Sequence, residues 1–172
     1  MYCIELKDER DTLKLGELLG SCLRDAGQSL SVVYLRGDLG MGKTTLCRGI
    51  LSAFGHIGPV KSPTYTLVEQ YSMADHEVYH FDIYRLGDPE ELEYMGIRDF
   101  LSVGEKPVTC IVEWPEKGLG VLPLPHLELV FSQSGEGRKI EFCIPVQESE
   151  CAWRDELLVA CEGVFASCDS MV

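Results

Sequence analysis

Val32-Val33-Tyr34-Leu35-Arg36-Gly37-Asp38-Leu39-Gly40-Met41-Gly42-Lys43-Thr44-Thr45 is a short apolar run followed by glycine, four residues and Gly-Lys-Thr. The apolar run reads as a buried strand. Beyond it, Leu46, Ile50, Leu51 and Phe54 recur at helical spacing, and Gly55 stands where a helix would stop. Strand, glycine-rich loop and helix together make a phosphate-binding loop (P-loop). The glycines let the backbone curl so that its N–H groups converge on phosphate oxygens, with the positive end of a helix beneath them. Asp38, Leu39, Gly40, Met41, Gly42 and Thr45 would form the cradle, Lys43 would place a charge at the β- and γ-phosphates, and the Thr44 hydroxyl would ligate Mg²⁺. Such a site needs Lys43 open to solvent rather than buried, and Thr44 within reach of an acid that can share its cation.

Two further apolar strands end in acids. Val78-Tyr79-His80-Phe81-Asp82 and Cys110-Ile111-Val112-Glu113-Trp114 place Asp82 and Glu113 at strand ends, and ligands of open α/β sheets bind at the carboxyl ends of strands. A buried acid is costly without a partner. A metal is one such partner, and a neighbouring arginine, Arg85 or Arg98, is the other. Between the P-loop helix and these strands runs Lys61-Ser62-Pro63-Thr64-Tyr65-Thr66. In GTPases a segment at that point orders around the γ-phosphate, and Thr64 and Thr66 offer hydroxyls for it. A proline-stiffened turn accounts for the same residues. His76 and His80 would lie ~13 Å apart on a strand, too far to share an ion, so no metal beyond the nucleotide's own is expected. The chain has no asparagine, hence no Asn-Lys-x-Asp guanine reader, which favours ATP.

The 172 residues suit one domain, and 45% hydrophobic with 25% charged residues is an ordinary soluble composition. No apolar stretch approaches the ~20 residues of a membrane span, and the N-terminus lacks a signal-type apolar core, so a cytoplasmic protein without membrane association is expected. Fifteen basic against 28 acidic residues, a net charge of −13, disfavours an electrostatic clamp on nucleic acid. The eight cysteines include no C-x-x-C pair. Cys22, Cys47, Cys110 and Cys143 read as core residues, while Cys151, Cys161 and Cys168 remain open.

Elsewhere the pattern predicts a helix over Thr12–Asp25 ending near Gly27 and strands over Leu67–Tyr71 and Glu77–Ile83. A helix should begin at Asp88 as N-cap with Pro89 and Glu91 behind it. A strand is expected over Val108–Trp114, then a hairpin of Leu127–Phe131 and Lys139–Ile144, and a last helix over Cys151–Phe165. Alternating elements make this an α/β protein, a P-loop NTPase-like three-layer sandwich with a mixed, mostly parallel central sheet. Residues 1–147 would form the P-loop domain, and 148–172 a helical segment packed on it.

Gly-Asp-Leu-Gly-Met-Gly-Lys-Thr-Thr at 37–45, Lys-Ser-Pro-Thr-Tyr-Thr-Leu-Val-Glu at 61–69, Tyr-His-Phe-Asp-Ile-Tyr-Arg-Leu at 79–86 and Val-Glu-Trp-Pro-Glu at 112–116 resemble the TsaE (YjeE) family. Those are bacterial ATPase subunits of tRNA threonylcarbamoyladenosine biosynthesis. The resemblance covers about residues 8 to 144 and favours the nucleotide-ordering role for 62–66. It implies that Lys43 and the loop from Asp38 hold phosphates, that Thr44 and Glu113 ligate Mg²⁺, and that Asp82 orients or deprotonates the attacking water. Thr12 and Arg138 would flank the nucleoside. It also implies an ATPase that works through TsaB and TsaD and meets tRNA only indirectly. A small-molecule kinase, or a binding module in which hydrolysis is incidental, are the alternatives. The segment from about Glu148 onward matches no motif of that family.

Overall fold

In chain order the elements are β1 (Tyr2–Leu6), α1 (Glu9–Ala26), β2 (Leu30–Arg36), α2 (Lys43–Ala53), β3 (Val68–Ser72), β4 (Glu77–Asp82), α3 (Glu90–Tyr94), α4 (Ile97–Phe100), β5 (Val108–Glu113), β6 (Leu127–Ser134), β7 (Gly137–Cys143) and α5 (Ala152–Glu162). A 3-10 turn spans Pro115–Gly118. The computed structural model describes residues 2–63, 65–102, 104–145 and 152–165.

One seven-stranded sheet runs β1-β7-β6-β2-β5-β4-β3. Its centre, β6-β2-β5-β4, is parallel, and β1, β7 and β3 add antiparallel edges. The alternation of β2 divides the core. Val33 and Leu35 face one way, onto Leu15 and Leu19 of α1 and Leu46 and Ile50 of α2. Val32 and Tyr34 face the other, onto Leu92 and Ile97 of α3 and α4. All six residues of β5 are buried, as a strand covered on both faces requires. The three expected layers are present.

The helices α1 and α2 touch backbone to backbone. A β-carbon on Gly16 would fall 2.3 Å from the Leu46 carbonyl oxygen, and one on Gly49 would fall 2.3 Å from that of Leu13. Only glycine permits this approach. It clamps the N-terminal half of α1 against the P-loop helix.

Several elements depart from the sequence expectations, among them the short α4, which was not anticipated. Strand β1 was not expected at all. Ile4 and Leu6 are buried while Glu5 between them is exposed, an alternation too short to stand out in five residues. Helix α1 begins at Glu9 rather than Thr12, because the Asp8 side chain accepts from the N–H groups of Arg10 and Asp11. In α3 the helix proper starts at Glu90. Asp88 still caps it, its Oδ1 accepting from Glu90 N–H while Glu91 Oε1 accepts from Asp88 N–H, 2.9 Å each.

Of the cysteines expected inside, Cys47 and Cys110 are buried, whereas Cys22 and Cys143 are only partly so. Cys161 joins the larger core with Trp153, Leu157 and Phe165 of the α5 region. Cys22, Cys47, Cys110, Cys143 and Cys161 are free thiols; Cys151 and Cys168 lie outside the described residues. No described helix is long and apolar enough to cross a membrane.

Candidate functional site

Parallel pairing sets Leu35 beside Glu113 and Glu113 beside Asp82. The loop leaving β2 and the acids ending β4 and β5 therefore open on one edge of the sheet. A cavity of about 450 Å³ lies there.

Its floor is the loop itself. Gly42 has φ 97°, a left-handed conformation suited to glycine, and a β-carbon there would crowd Arg138 Nε and Thr12 Cγ2 at 3.4 Å. Helix α2 starts on the next residue, so its first N–H groups, which have no carbonyl one turn back, face the cavity. Leu39, Gly40, Met41, Gly42, Lys43, Thr44 and Thr45 all line it. Asp38 does not, and contributes its carbonyl. Thr12 from α1 and Arg138 from β7 meet over Gly42, where the family resemblance put the nucleoside. Arg138 makes no hydrogen bond or ion pair among the described residues, while the Thr12 hydroxyl is spent on the Asp8 carbonyl at 3.3 Å.

Lys43 departs from expectation. It lines the cavity but is only 4% exposed. Its ammonium donates to the carbonyls of Gly37 and Asp38, the latter at 2.8 Å, and sits 4.1 Å from the centre of the Trp114 ring. The cation is folded back onto its own loop, so the condition of an open Lys43 is not met at rest, and a phosphate would reach it only by displacing the Gly37 and Asp38 carbonyls. Burial lowers its pKa, and the nearby acids, Glu113 first, oppose that shift.

The second condition is met. Thr44 Oγ1 donates to Glu113 Oε1 at 3.1 Å. Neither arginine considered as a partner for the acids reaches them: Arg98 binds Glu93, and Arg85 lies on the ring of Tyr65. Glu113 is 3% exposed; Thr44 and the Cys47 thiol, at 3.8 Å, donate to it, and His80 Nε2 lies within hydrogen-bond distance at 2.8 Å. All three converge on Oε1, leaving Oε2 without a hydrogen bond among the described residues. A hydroxyl and a carboxylate with one oxygen to spare suit a hard divalent cation such as Mg²⁺. Burial raises the Cys47 pKa well above that of a free thiol, with Glu113 adding to the effect.

Asp82 is aimed separately. Its Oδ2 accepts from the Ser62 hydroxyl and its Oδ1 from Tyr84 N–H at 3.1 Å. Two non-glycine residues with positive φ flank the acids, Leu67 at 62° and Trp114 at 63°. Each such residue costs roughly 1–3 kcal/mol and tends to cluster at functional sites. Asp82 N–H bonds the Leu67 carbonyl at 3.1 Å, tying the 62–66 loop to the end of β4. From that loop Ser62 enters the cavity, but Thr66 is exposed and donates to Glu69 at 3.0 Å. Thr64 lies outside the described residues.

Sequence reasoning missed Glu9, Cys47, His80, Tyr84 and Trp114. Signals existed for three of them. His80 is two residues before Asp82 and shares its strand face, Cys47 is one helical turn after Thr44, and Trp114 follows Glu113 directly.

The sequence and the fold have counterparts among known proteins. A sequence model of the family described as "Threonylcarbamoyl adenosine biosynthesis protein TsaE" matches residues 6–140. A Haemophilus influenzae protein named tRNA threonylcarbamoyladenosine biosynthesis protein TsaE is 47% identical over 137 residues, 79% of this chain and 85% of its own. One of the same name from a Nostoc species is 36% identical over 140 residues, 81% and 83%. In fold, the crystal structure of YdiB from Bacillus subtilis superposes with a TM-score of 0.67 and 23% identity, covering 93% of this chain and 97% of that one. With its phosphate-binding loop and the run of residues 6–140 both accounted for, the chain belongs to the TsaE family.

Proposed function

We propose that this chain binds ATP with Mg²⁺ in the cavity and hydrolyses it, slowly alone and faster with partner proteins. The relatives' names attach them to tRNA threonylcarbamoyladenosine biosynthesis. On that basis the chain serves threonylcarbamoylation of the tRNA adenosine next to the anticodon, acting through TsaB and TsaD. One observation carries the proposal: the P-loop, the Thr44–Glu113 pair and Asp82 converge on a single cavity.

The chain's own residues divide the work. The N–H groups at the start of α2 bind phosphate oxygens, and Lys43 exchanges its backbone carbonyls for the β- and γ-phosphates. Thr44 and Glu113 would hold a magnesium ion, which would supply neutralisation of phosphate charge. Asp82, fixed by Ser62 and the Tyr84 amide, takes a hydrogen bond from the attacking water and orients it. Thr12 and Arg138 face the nucleoside side. Among arginines close to the site, Arg36 is held by Glu116 and Glu128 and Arg85 by Tyr65. Neither lines the cavity, and Arg138, which does, lies over Gly42 on the side assigned to the nucleoside, an arrangement that supports a modest turnover without help.

The test is ATP turnover of the purified chain with and without TsaB and TsaD, together with their co-purification in the presence and absence of ATP. Turnover should rise about tenfold or more on adding the pair, since an activating partner supplies missing transition-state contacts. Rapid hydrolysis indifferent to both proteins would overturn the subunit role.

A further inference from the structure

We propose that His80 is a positioning residue for the cation: by holding Glu113 Oε1, it turns Oε2 toward the metal. This rests on the Mg²⁺–nucleotide reading of the cavity and adds a residue to it.

Four side chains form a closed box beneath the P-loop. Thr44 and Cys47 are one turn apart on α2. His80 and Glu113 come from the adjacent strands β4 and β5, on the sheet face that α2 covers, the face of Val78 and Ile111. Three of the four point at one atom, Glu113 Oε1. They are unequal. The thiol at 3.8 Å is a weak donor. The Thr44 hydroxyl must also turn a lone pair to the cation. His80 at 2.8 Å is the shortest contact and has no competing use for its Nε2. An ionised carboxylate only accepts, so the nitrogen facing it carries the hydrogen.

The rest of His80 sharpens the point. The residue is 0% exposed, and its other ring nitrogen, Nδ1, is buried without a partner among the described residues. Buried polar atoms are nearly always satisfied, and an exception calls for a reason. An apolar side chain would fill this place with no orphan. His80 instead keeps one nitrogen unsatisfied in order to place the other on Glu113. Ligands supported in this way lose about 10–100-fold in metal affinity when the support is removed. Glu113 Oε2 is left without a hydrogen bond among the described residues, so a cation would not have to displace a protein donor from it.

The experiment uses the full chain, with Mn²⁺ in place of Mg²⁺ and ADP as nucleotide. ADP affinity without metal is read by calorimetry, and Mn²⁺ binding to the ADP complex by electron paramagnetic resonance. For His80→Leu, the Mn²⁺ dissociation constant should rise by about tenfold or more, with metal-free ADP affinity unchanged within ~2-fold. His80→Gln carries an amide N–H near the position of Nε2 and should recover most of the loss. Equal Mn²⁺ affinity in wild type and His80→Leu, or a loss that Gln does not relieve, would overturn the role of His80 while leaving the nucleotide site standing. Wild-type chain that binds ADP but no Mn²⁺ would remove the Thr44–Glu113 cation site, and the inference with it.

Discussion

Lys43 and Asp82 are both buried charged residues at the cavity, but they should fail in different ways. Lys43→Ala removes the cation that the proposed function assigns to the terminal phosphates, and ATP affinity by calorimetry should fall about 100-fold, the value of charge-assisted hydrogen bonds. Asp82→Ala leaves the cradle intact, so ATP should bind within about threefold of wild type while turnover drops on the order of 10²–10⁴. A mutant with normal turnover would take Asp82 out of the chemistry. The sequence made these residues legible because each ends or follows an unbroken apolar run, and register then brought them together. It did not reveal that Lys43 would be buried, because the carbonyls and the indole that hold it are contacts of a folded loop. His80 went unread for another reason. Its separation from His76 was considered, but not its two-residue relation to Asp82 on one strand face.

Between α1 and α2 the glycine contact leaves no room for adjustment, since the atoms a new methyl would meet are main chain. Gly49→Ala should destabilise the protein by about 3 kcal/mol, typical of overpacking, or roughly 6–12 °C in Tm at this size. Gly104→Ala is the control, because nothing lies within 4 Å of a β-carbon there. At the far end of β4, His76 donates to or accepts from Thr109 at 2.9 Å and packs on Phe54. Burial lowers its pKa below 6.5, against smaller opposing effects of Asp75 and Glu77. The unfolded chain therefore binds this proton more readily than the folded one, and the contribution to stability falls as pH drops below ~6.5. Thermal melts from pH 7.5 to 5.5 should lose less in His76→Gln than in wild type, and identical slopes would exclude His76 as a source. Of the elements, the P-loop helix and the strands β4 to β7 were readable from periodicity. Strand β1 was not, since a five-residue edge strand carries its signal in its pairing with β7.

The molecule as a whole carries a net charge of −13 and, in the proposed function, takes up a polyanion. Like-charge repulsion should slow nucleotide capture at low ionic strength, and stopped-flow association rates should rise as salt screens it. A rate that falls steeply with salt would indicate a strongly positive mouth, contrary to a Lys43 already occupied by its own loop. The overall architecture was legible because strand–loop–helix alternation restricts topology. The antiparallel edges were anticipated only as tight turns, because strand order is fixed by long-range pairing. The two sides of the sheet are also insulated unequally. One is roofed by helices of 18, 11 and 11 residues, the other by helices of five and four and a four-residue turn. Local opening favours regions with little burial above them, so deuterium should enter the amides of α3 and α4 well before those of α1 and α2. The strand ends that carry Asp82 and Glu113 thus border a thickly roofed side, onto which both acids face, and a thinly roofed one that should open first.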